Sequence, residues 1–381
     1  MKSNALLKSL QLIFLFLFAF NVHADEPRFY IPDAPPIDAS SYALMDHNSK
    51  SMLAANNENQ RRSPASLTKI MTSYVIFKRL KEEFITLDDE VKISEKAWRT
   101  GGSRSFIEVG KIIRLEDLLK GMIIQSGNDA SVALAEHVAG SEGTFVLFMN
   151  DYAQQLGMTN SRFENSSGLP HEEQYTTAKD MAILSSAMIE EFPEFYKWYS
   201  EKEFTYNNIT QTNRNKLLFT DSTVDGLKTG WTQMAGYCLV TSANRVGMRL
   251  ITVVMGSASP AARTIETEKL LDYGFRFFET QSVNDISHQV PVYKSKKANI
   301  KVGVAESSYL TLPRNQFKYT TQTINLSGDL IAPITKGDEV GTLAISFNNK
   351  NIATLPLVAL DNAIEGGFLT KMVDTVKLLF R

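Results

Sequence analysis

Ser66 and Lys69, in the stretch PASLTKIM (Pro64 to Met71), stand three positions apart. That spacing puts two side chains on one face of a helix, about one turn from each other. A hydroxyl is a poor nucleophile until a neighbour accepts its proton. A lysine amine can accept it only when uncharged, which burial and a second nearby cation favour. Ser63-Pro64 reads as a helix start, with Ser capping and Pro at the first helical position, followed by Leu67, Ile70, Met71 and Tyr74 at helical spacing. Ser66 would then sit in the first turn, where unpaired N–H groups and the helix dipole stabilise developing negative charge. Alone, the pair fits a solvated helix face equally well. Ser126-Gly127-Asn128 falls where one predicted helix ends and another begins, and reads either as a cap or as a loop aiming a hydroxyl and an amide into a cleft. Lys228-Thr229-Gly230 ends a predicted strand. A cation, a hydroxyl and a residue without a side chain there would let a peptide lie along a sheet edge.

The elements that must position these groups mix helices and strands. Helices are predicted from Ser63-Pro64, over 115–125, 130–138, 144–156 and 177–191, and from Pro260 to Phe278. Strands are predicted at Tyr42–Asp46, Val224–Lys228, Tyr237–Ala243 and Met248–Met255, the last two joined by a hairpin turn at Asn244–Gly247. Antiparallel strands covered by helices make an α/β (α+β) core. After Thr280 the pattern changes. From His288 to Leu360 short apolar runs alternate with turn residues such as Lys336-Gly337-Asp338 and Asn348-Asn349, which predicts a small all-β domain over 281–361.

The 381 residues are 43% hydrophobic and 22% charged, an ordinary globular balance that excludes low-complexity and disordered readings. With 40 basic and 42 acidic residues there is no basic excess to neutralise a phosphate backbone, which argues against nucleic-acid binding. Cys238 is the single cysteine, so no internal disulfide can form. Residues 1–24 read as an export signal: Lys2 and Lys8, an apolar run from Leu10 to Phe20, then Val22-His23-Ala24 at a cleavage site. An uncleaved anchor is the alternative. Four prolines in 25–38 predict an extended lead-in. At the other end, residues 363–381 step into an amphipathic helix. Phe368, Leu369, Met372, Val373, Val376, Leu379 and Phe380 fall on one side, Lys371, Asp374, Lys377 and Arg381 on the other, and Leu378 alone breaks the pattern. The alternatives are a helix packed on its own domain or an interfacial membrane anchor with its basic residues at lipid phosphates. Export and the terminal position behind Gly366-Gly367 favour the anchor.

Ser-x-x-Lys, Ser-x-Asn and Lys-Thr-Gly in this order form a specific set, shared with penicillin-binding proteins and, with Ser-Asp-Asn in the middle, class A β-lactamases. The chain resembles the exported D-alanyl-D-alanine carboxypeptidases among the low-molecular-mass penicillin-binding proteins (type 5/6-like). The likeness extends through Tyr175 to Met181 (YTTAKDM), Asp225 to Gly230 (DGLKTG), Ala235 to Tyr237 and Gly274 to Thr280 (GFRFFET), and on through the β domain and terminal helix. The resemblance implies a transpeptidase/β-lactamase-like antiparallel sheet flanked by helices over 25–280. It implies that Ser66 attacks the carbonyl between two D-alanines of a peptidoglycan stem pentapeptide, that Lys69 takes its proton, and that Ser126 relays a proton to the departing D-alanine. Asn128 would hold the substrate amide and help fix Lys69. Lys228 and Thr229 would bind the terminal carboxylate and help keep Lys69 neutral, with Arg263 as a second carboxylate-binding cation. Gly230 would complete the substrate-binding strand, and the backbone N–H groups of Ser66 and Trp231 the oxyanion hole. No metal or organic cofactor is called for, β-lactams should acylate Ser66, and the enzyme would work at the periplasmic face of the bacterial inner membrane.

Two departures stand out. Trp231 follows Lys-Thr-Gly where some family members carry His, although only a backbone N–H is needed there. Gly127 replaces the Asp usual in class A β-lactamases, and Glu164 is the one acid in reach of a deacylating role such as theirs; the Gly168-Leu169 that follows looks like the carboxypeptidase loop. A β-lactamase on the same constellation and an inactive wall-binding protein are the alternatives. His47, His137, His171 and His288 show no metal-ligand or triad spacing and read as surface or cap residues. Cys238 reads as buried filler.

Overall fold

Tyr42 to Asp46 are wholly buried in the first strand of a five-stranded antiparallel sheet, and helices pack against it. The computed structural model describes residues 31–283, 286–304, 308–347 and 349–380. The predicted export signal (1–24), the start of the lead-in (25–30), Asn348 and Arg381 lie outside the described residues.

β1 (Ser41–Asp46) and β2 (Met52–Asn56) form a hairpin that leads through a 3-10 turn at Ala65–Leu67 into α1 (Thr68–Lys81). A helical lobe follows. It holds the small pair β3 (Glu90–Lys92) and β4 (Ile112–Arg114) around α2 (Glu95–Arg99), then α3 (Leu115–Ile124), α4 (Asn128–Ala139), α5 (Glu142–Gln155) and α6 (Ala178–Glu191). Side-chain caps start three of them: Ser94 Oγ accepts from Ala97 N, Ser141 Oγ from Thr144 N, and Thr177 Oγ1 from Asp180 N. The short α7 (Pro193–Tyr196), the hairpin β5 (Glu203–Tyr206) with β6 (Ile209–Thr212), and α8 (Leu217–Thr220) carry the chain back to the sheet. There β7 (Val224–Thr232), β8 (Gly236–Arg245) and β9 (Met248–Ser257) complete the order β2-β1-β9-β8-β7, and α9 (Pro260–Phe277) packs back on β8 and β9. Strand alternation sorts the two layers. Ala43 and Met45 join the core of the helical lobe, whereas Leu44 lies against Gly274 of α9, where a Cβ would already meet Leu250 and Leu44.

Three local expectations are corrected. The helix at Ser63-Pro64 starts later: Ala65 has a left-handed φ of 47°, so 65–67 make a tight turn, α1 begins at Thr68, and no side chain caps either piece. Nor does α1 have one apolar face. Thr68 to Phe77 are buried on every side, Lys69, Thr72 and Ser73 included. The third concerns Lys228-Thr229-Gly230, which lies within β7 rather than at its end; β7 is an edge strand of the sheet.

Beyond α9, β10 (Phe278–Ser282) pairs with a strand absent from the sequence reading, β13 (Tyr309–Pro313). β11 (Ser287–Pro291), β12 (Asn299–Val304), β14 (Thr320–Leu326), β15 (Glu339–Phe347) and β16 (Lys350–Ala359) form an antiparallel sheet in the order β11-β12-β16-β15-β14. It has its own core, with Ile300, Val302, Leu343 and Leu357 fully enclosed. Hydroxyl groups tie this part to the end of β1: Thr280 Oγ1 donates to Asp46 Oδ2 at 2.7 Å, and Ser49 Oγ lies 2.6 Å from Thr311 Oγ1.

The terminal helix, α10, spans Phe368–Leu379, shorter than the predicted 363–381. Ala363 and Glu365 instead make isolated β-bridges to Ile334 and Ser295. The helix rests on the β domain by its polar side: Asp374 is buried at 8% exposure and accepts from Lys294 N at 2.7 Å. Leu378, the residue that broke the amphipathic pattern, is half-buried on this same side, one turn from Asp374. The apolar face is left outside, with Phe368 80% and Leu379 77% exposed. Among the described residues no helix is long and apolar enough to cross a membrane.

Candidate active site

Burial decides the chemistry of Lys69. Its amine, enclosed within α1, lies 2.6 Å from Asn128 Oδ1, 2.5 Å from the Ser167 carbonyl oxygen and 3.3 Å from Ser66 Oγ. Asn128 is held in register because its Nδ2 donates to Gly101 O at 2.7 Å, which leaves Oδ1 facing the amine. The Ser167 carbonyl is fixed by its neighbour, whose carbonyl accepts from Thr72 Oγ1 and Ser131 Oγ, both at 2.6 Å. A neutral amine has two N–H groups and one lone pair. The two oxygens take the N–H groups, so the lone pair is left for the hydroxyl proton of Ser66.

The protonation state agrees with that valence count. Burial pushes the Lys69 amine down to about 7, the positive charge of Arg214 pushes the same way, and Asp129 opposes both. Lys228, buried at 2% exposure in β7, is pushed well below the usual lysine range by burial, then by Lys69, Arg214 and Arg263. Arg214, which the sequence reading did not single out, thus bears on both lysines. Its signal was thin. Arg214 stands between Asn213 and Asn215, and those asparagines brace the segment: Asn213 Nδ2 donates to Glu201 O at 3.0 Å and Asn215 Nδ2 to Gly226 O at 3.0 Å.

Two cavities border Ser66. One, of about 290 Å³, is lined by Ser66, Ser126, Arg214, Thr229, Trp231 and Arg263. The other, of about 520 Å³, is lined by Ser66, Gly102, Asn128, Leu169, Arg214 and Gln233. A larger hollow at the junction with the β domain, lined by Arg245, Arg276 and Arg314, does not include these residues. Ser126 sits in the first cavity at a positive φ of 71°, and its buried hydroxyl has no hydrogen-bond partner among the described residues. A strained backbone with an unpaired hydroxyl at a site is a place where substrate can supply the partner. Arg263, in the first turn of α9, donates to Gly230 O at 3.2 Å and stacks over the Tyr237 ring.

Glycines set two close approaches. A Cβ on Gly230 would lie 3.3 Å from Ser66 N and 3.2 Å from Pro64 O, so the bare residue lets β7 come up beside the serine's turn. Gly168 has a φ of +82°, and a Cβ there would overlap the Ala65 carbonyl. Asp129 anchors the opposite wall, its carboxylate accepting from Ser105 N at 2.8 Å and Ala130 N at 2.9 Å.

All nine residues singled out from sequence therefore lie at or beside one groove. Lys228 is tied to it through the electrostatic reach of Lys69, Arg214 and Arg263. Glu164 does not join them in the hydrogen bonds observed: its carboxylate is taken by Arg162. Two histidines are more engaged than a surface reading implied. His47 Nδ1 meets Ser186 Oγ at 2.9 Å and is pushed down to about 4, mainly by burial, and His137 Nε2 meets Asp89 at 3.0 Å. Cys238 is buried, and burial pushes its thiol up to about 11. Among the described residues no three His, Cys, Asp or Glu side chains gather as a metal site.

A hydroxyl with an enclosed amine behind it and cations beside it is suited to acyl transfer on a substrate that ends in a carboxylate. Comparison with known proteins makes this specific. Residues 29–259 match the family model of D-alanyl-D-alanine carboxypeptidases, and 275–365 that of the C-terminal domain of penicillin-binding protein 5. The chain is 44% identical over 380 residues to the D-alanyl-D-alanine carboxypeptidase DacC of Escherichia coli (strain K12), covering 96% of this chain and 94% of that one. The structure of penicillin-binding protein 5 from Haemophilus influenzae superposes with a TM-score of 0.82 at 41% identity, over 88% of this chain and all of that one. Penicillin-binding protein D2 of Listeria monocytogenes, in its ampicillin-bound form, superposes over 64% of this chain and all of that one (TM-score 0.59, 28% identity). The chain belongs to the D-alanyl-D-alanine carboxypeptidase family, and its activity is that of a carboxypeptidase.

Three outcomes are expected. Acylation should fall about tenfold per pH unit below the Lys69 pKa of about 7, because only the neutral amine accepts a proton. Arg214→Gln removes a positive charge, so protonation of Lys69 becomes easier and this acid limb should move to higher pH; a stopped-flow pH profile measures it. Gly168→Ala should slow acylation roughly a hundredfold by displacing the turn that carries Ser66, while circular dichroism stays close to that of the parent.

Proposed function

We propose that Ser66 is the acylated nucleophile in removal of the terminal D-alanine from peptidoglycan pentapeptides. The observation that carries the reading is the Lys69 clamp: two fixed oxygens occupy its N–H groups and leave the lone pair for Ser66. As the Ser66 proton passes to Lys69 Nζ, Oγ bonds to the carbonyl carbon between the two D-alanines. The oxyanion is received by the backbone N–H groups of Ser66 and Trp231, donors of a kind worth about 2.7–4 kcal/mol each. The C–N bond then breaks, and the leaving amine takes a proton delivered through Ser126. The terminal carboxylate lies toward Thr229, Lys228 and Arg263, with Asn128 holding the substrate amide and Gly230 keeping β7 clear for the peptide to lie along it. Water then attacks the ester carbonyl as Lys69 takes its proton, and that proton passes on to Ser66 Oγ as the ester C–O bond breaks, restoring the hydroxyl and the neutral amine. A β-lactam carries a comparable amide and carboxylate, so it should acylate the same hydroxyl. The ampicillin-bound Listeria relative supports this.

The same proposal includes export through residues 1–24 and residence at the periplasmic face of the inner membrane. The outward apolar face of α10 supports an interfacial helix over one packed on its own domain.

Incubation with a labelled penicillin followed by mass spectrometry should find a long-lived adduct on Ser66, and Ser66→Ala should abolish it. An adduct elsewhere, or rapid turnover without accumulation, would count against this assignment. Deleting residues 368–381, while keeping the bridges made by Ala363 and Glu365, should release the enzyme from membranes with its activity on soluble D-Ala-D-Ala peptides intact. Persistent sedimentation with membranes would refute the anchor.

A further inference from the structure

We propose that the loop Lys294–Lys297 is a second membrane contact, and that it makes docking selective for anionic phospholipid. This rests on the reading of α10 as an interfacial helix. The loop is bound directly to that helix and its lead-in. Lys294 N donates to Asp374 Oδ2 at 2.7 Å, Gly366 N to Lys294 O at 2.8 Å, and Lys296 N to Ile364 O at 3.0 Å. Ser295 forms a β-bridge with Glu365.

Charge distribution then decides which part attracts lipid. The lysines of α10 are already matched, Lys371 by Glu365 at 2.5 Å and Lys377 by Asp374 at 3.0 Å. The described helix and its lead-in therefore offer apolar side chains and little net charge. Lys294, Lys296 and Lys297 have no carboxylate within ion-pair distance among the described residues, and Lys296 and Lys297 are exposed. An interfacial helix sinks its apolar face about 5–10 Å into the boundary, and an α-helix is about 10–12 Å across. A loop on its far flank is thereby brought to within roughly a Debye length, about 8 Å at physiological salt, of the phosphates. Flexible lysine stems close much of the remaining distance. The helix supplies insertion and the loop supplies the electrostatic attraction.

The test is co-sedimentation of the processed chain, residues 25–381, with vesicles of phosphatidylcholine alone or containing phosphatidylglycerol. The parent should bind the anionic vesicles more tightly, with a preference that salt removes. The triple variant Lys294→Gln, Lys296→Gln, Lys297→Gln should lose about tenfold or more of its affinity for anionic vesicles. Its binding to neutral vesicles and its hydrolysis of a soluble D-Ala-D-Ala peptide should stay at parental values. A variant that binds anionic vesicles like the parent overturns the role of the loop and leaves the helix reading standing, and one that loses both vesicle types equally overturns it as a structural defect. A parent that binds neither vesicle type overturns the helix reading, and the loop falls with it.

Discussion

Enclosing an amine is the constraint on which this architecture turns. A lysine in water is charged and useless as a base at neutral pH. Here α1 is packed on all sides, so Lys69 has no water to stabilise its charge, and Arg214 adds repulsion. Burying a polar group without partners would be costly. Asn128 Oδ1 and the Ser167 carbonyl meet that cost with the two bonds a neutral amine can donate. The same arrangement that keeps the core intact therefore leaves a lone pair facing the serine, so stability and reactivity come from one set of contacts.

Several distant segments have to be exact for this to hold, and each is fixed by backbone polar groups. The Ser166 carbonyl binds two hydroxyls from α1 and α4, Asp129 pins the wall at 105, and Asn213 and Asn215 brace the segment of Arg214. An edge strand completes the groove. One side of β7 is committed to β8, and Gly230 allows close approach to the turn that carries Ser66. The other side of β7 keeps strand hydrogen-bonding groups that no part of the sheet consumes.

The C-terminal part follows a different rule. Its own core makes it a separate β unit, yet hydroxyl bonds between Thr280, Thr311, Ser49 and Asp46 tie it to the end of β1. α10 inverts the usual disposition of an amphipathic helix by seating Asp374 and Leu378 and leaving its phenylalanines outside. Sequence periodicity could identify two faces, but which face a domain covers depends on the acceptors and donors waiting there, in this case Lys294 N.

Most of the catalytic sheet, the long helices and the three motifs were legible because their signals are local: period-two apolar runs, helix-start residues, and fixed spacings within a few positions. Local signals also misled at Ser63-Pro64, where Ala65 takes a left-handed turn with Gly168, about a hundred positions away, packed against its carbonyl. Arg214, the Ser167 carbonyl and the pairing of β10 with β13 carry no comparable signal, since each acquires its role only from segments far along the chain. The sequence by itself determined which chemical groups are present and in what local spacing, together with the family they resemble. Only the tertiary structure decided that the amine is dry, that its two N–H groups are occupied, and that the apolar side of the last helix faces outward, because desolvation and hydrogen-bond saturation are properties of the assembled surroundings and not of any one stretch.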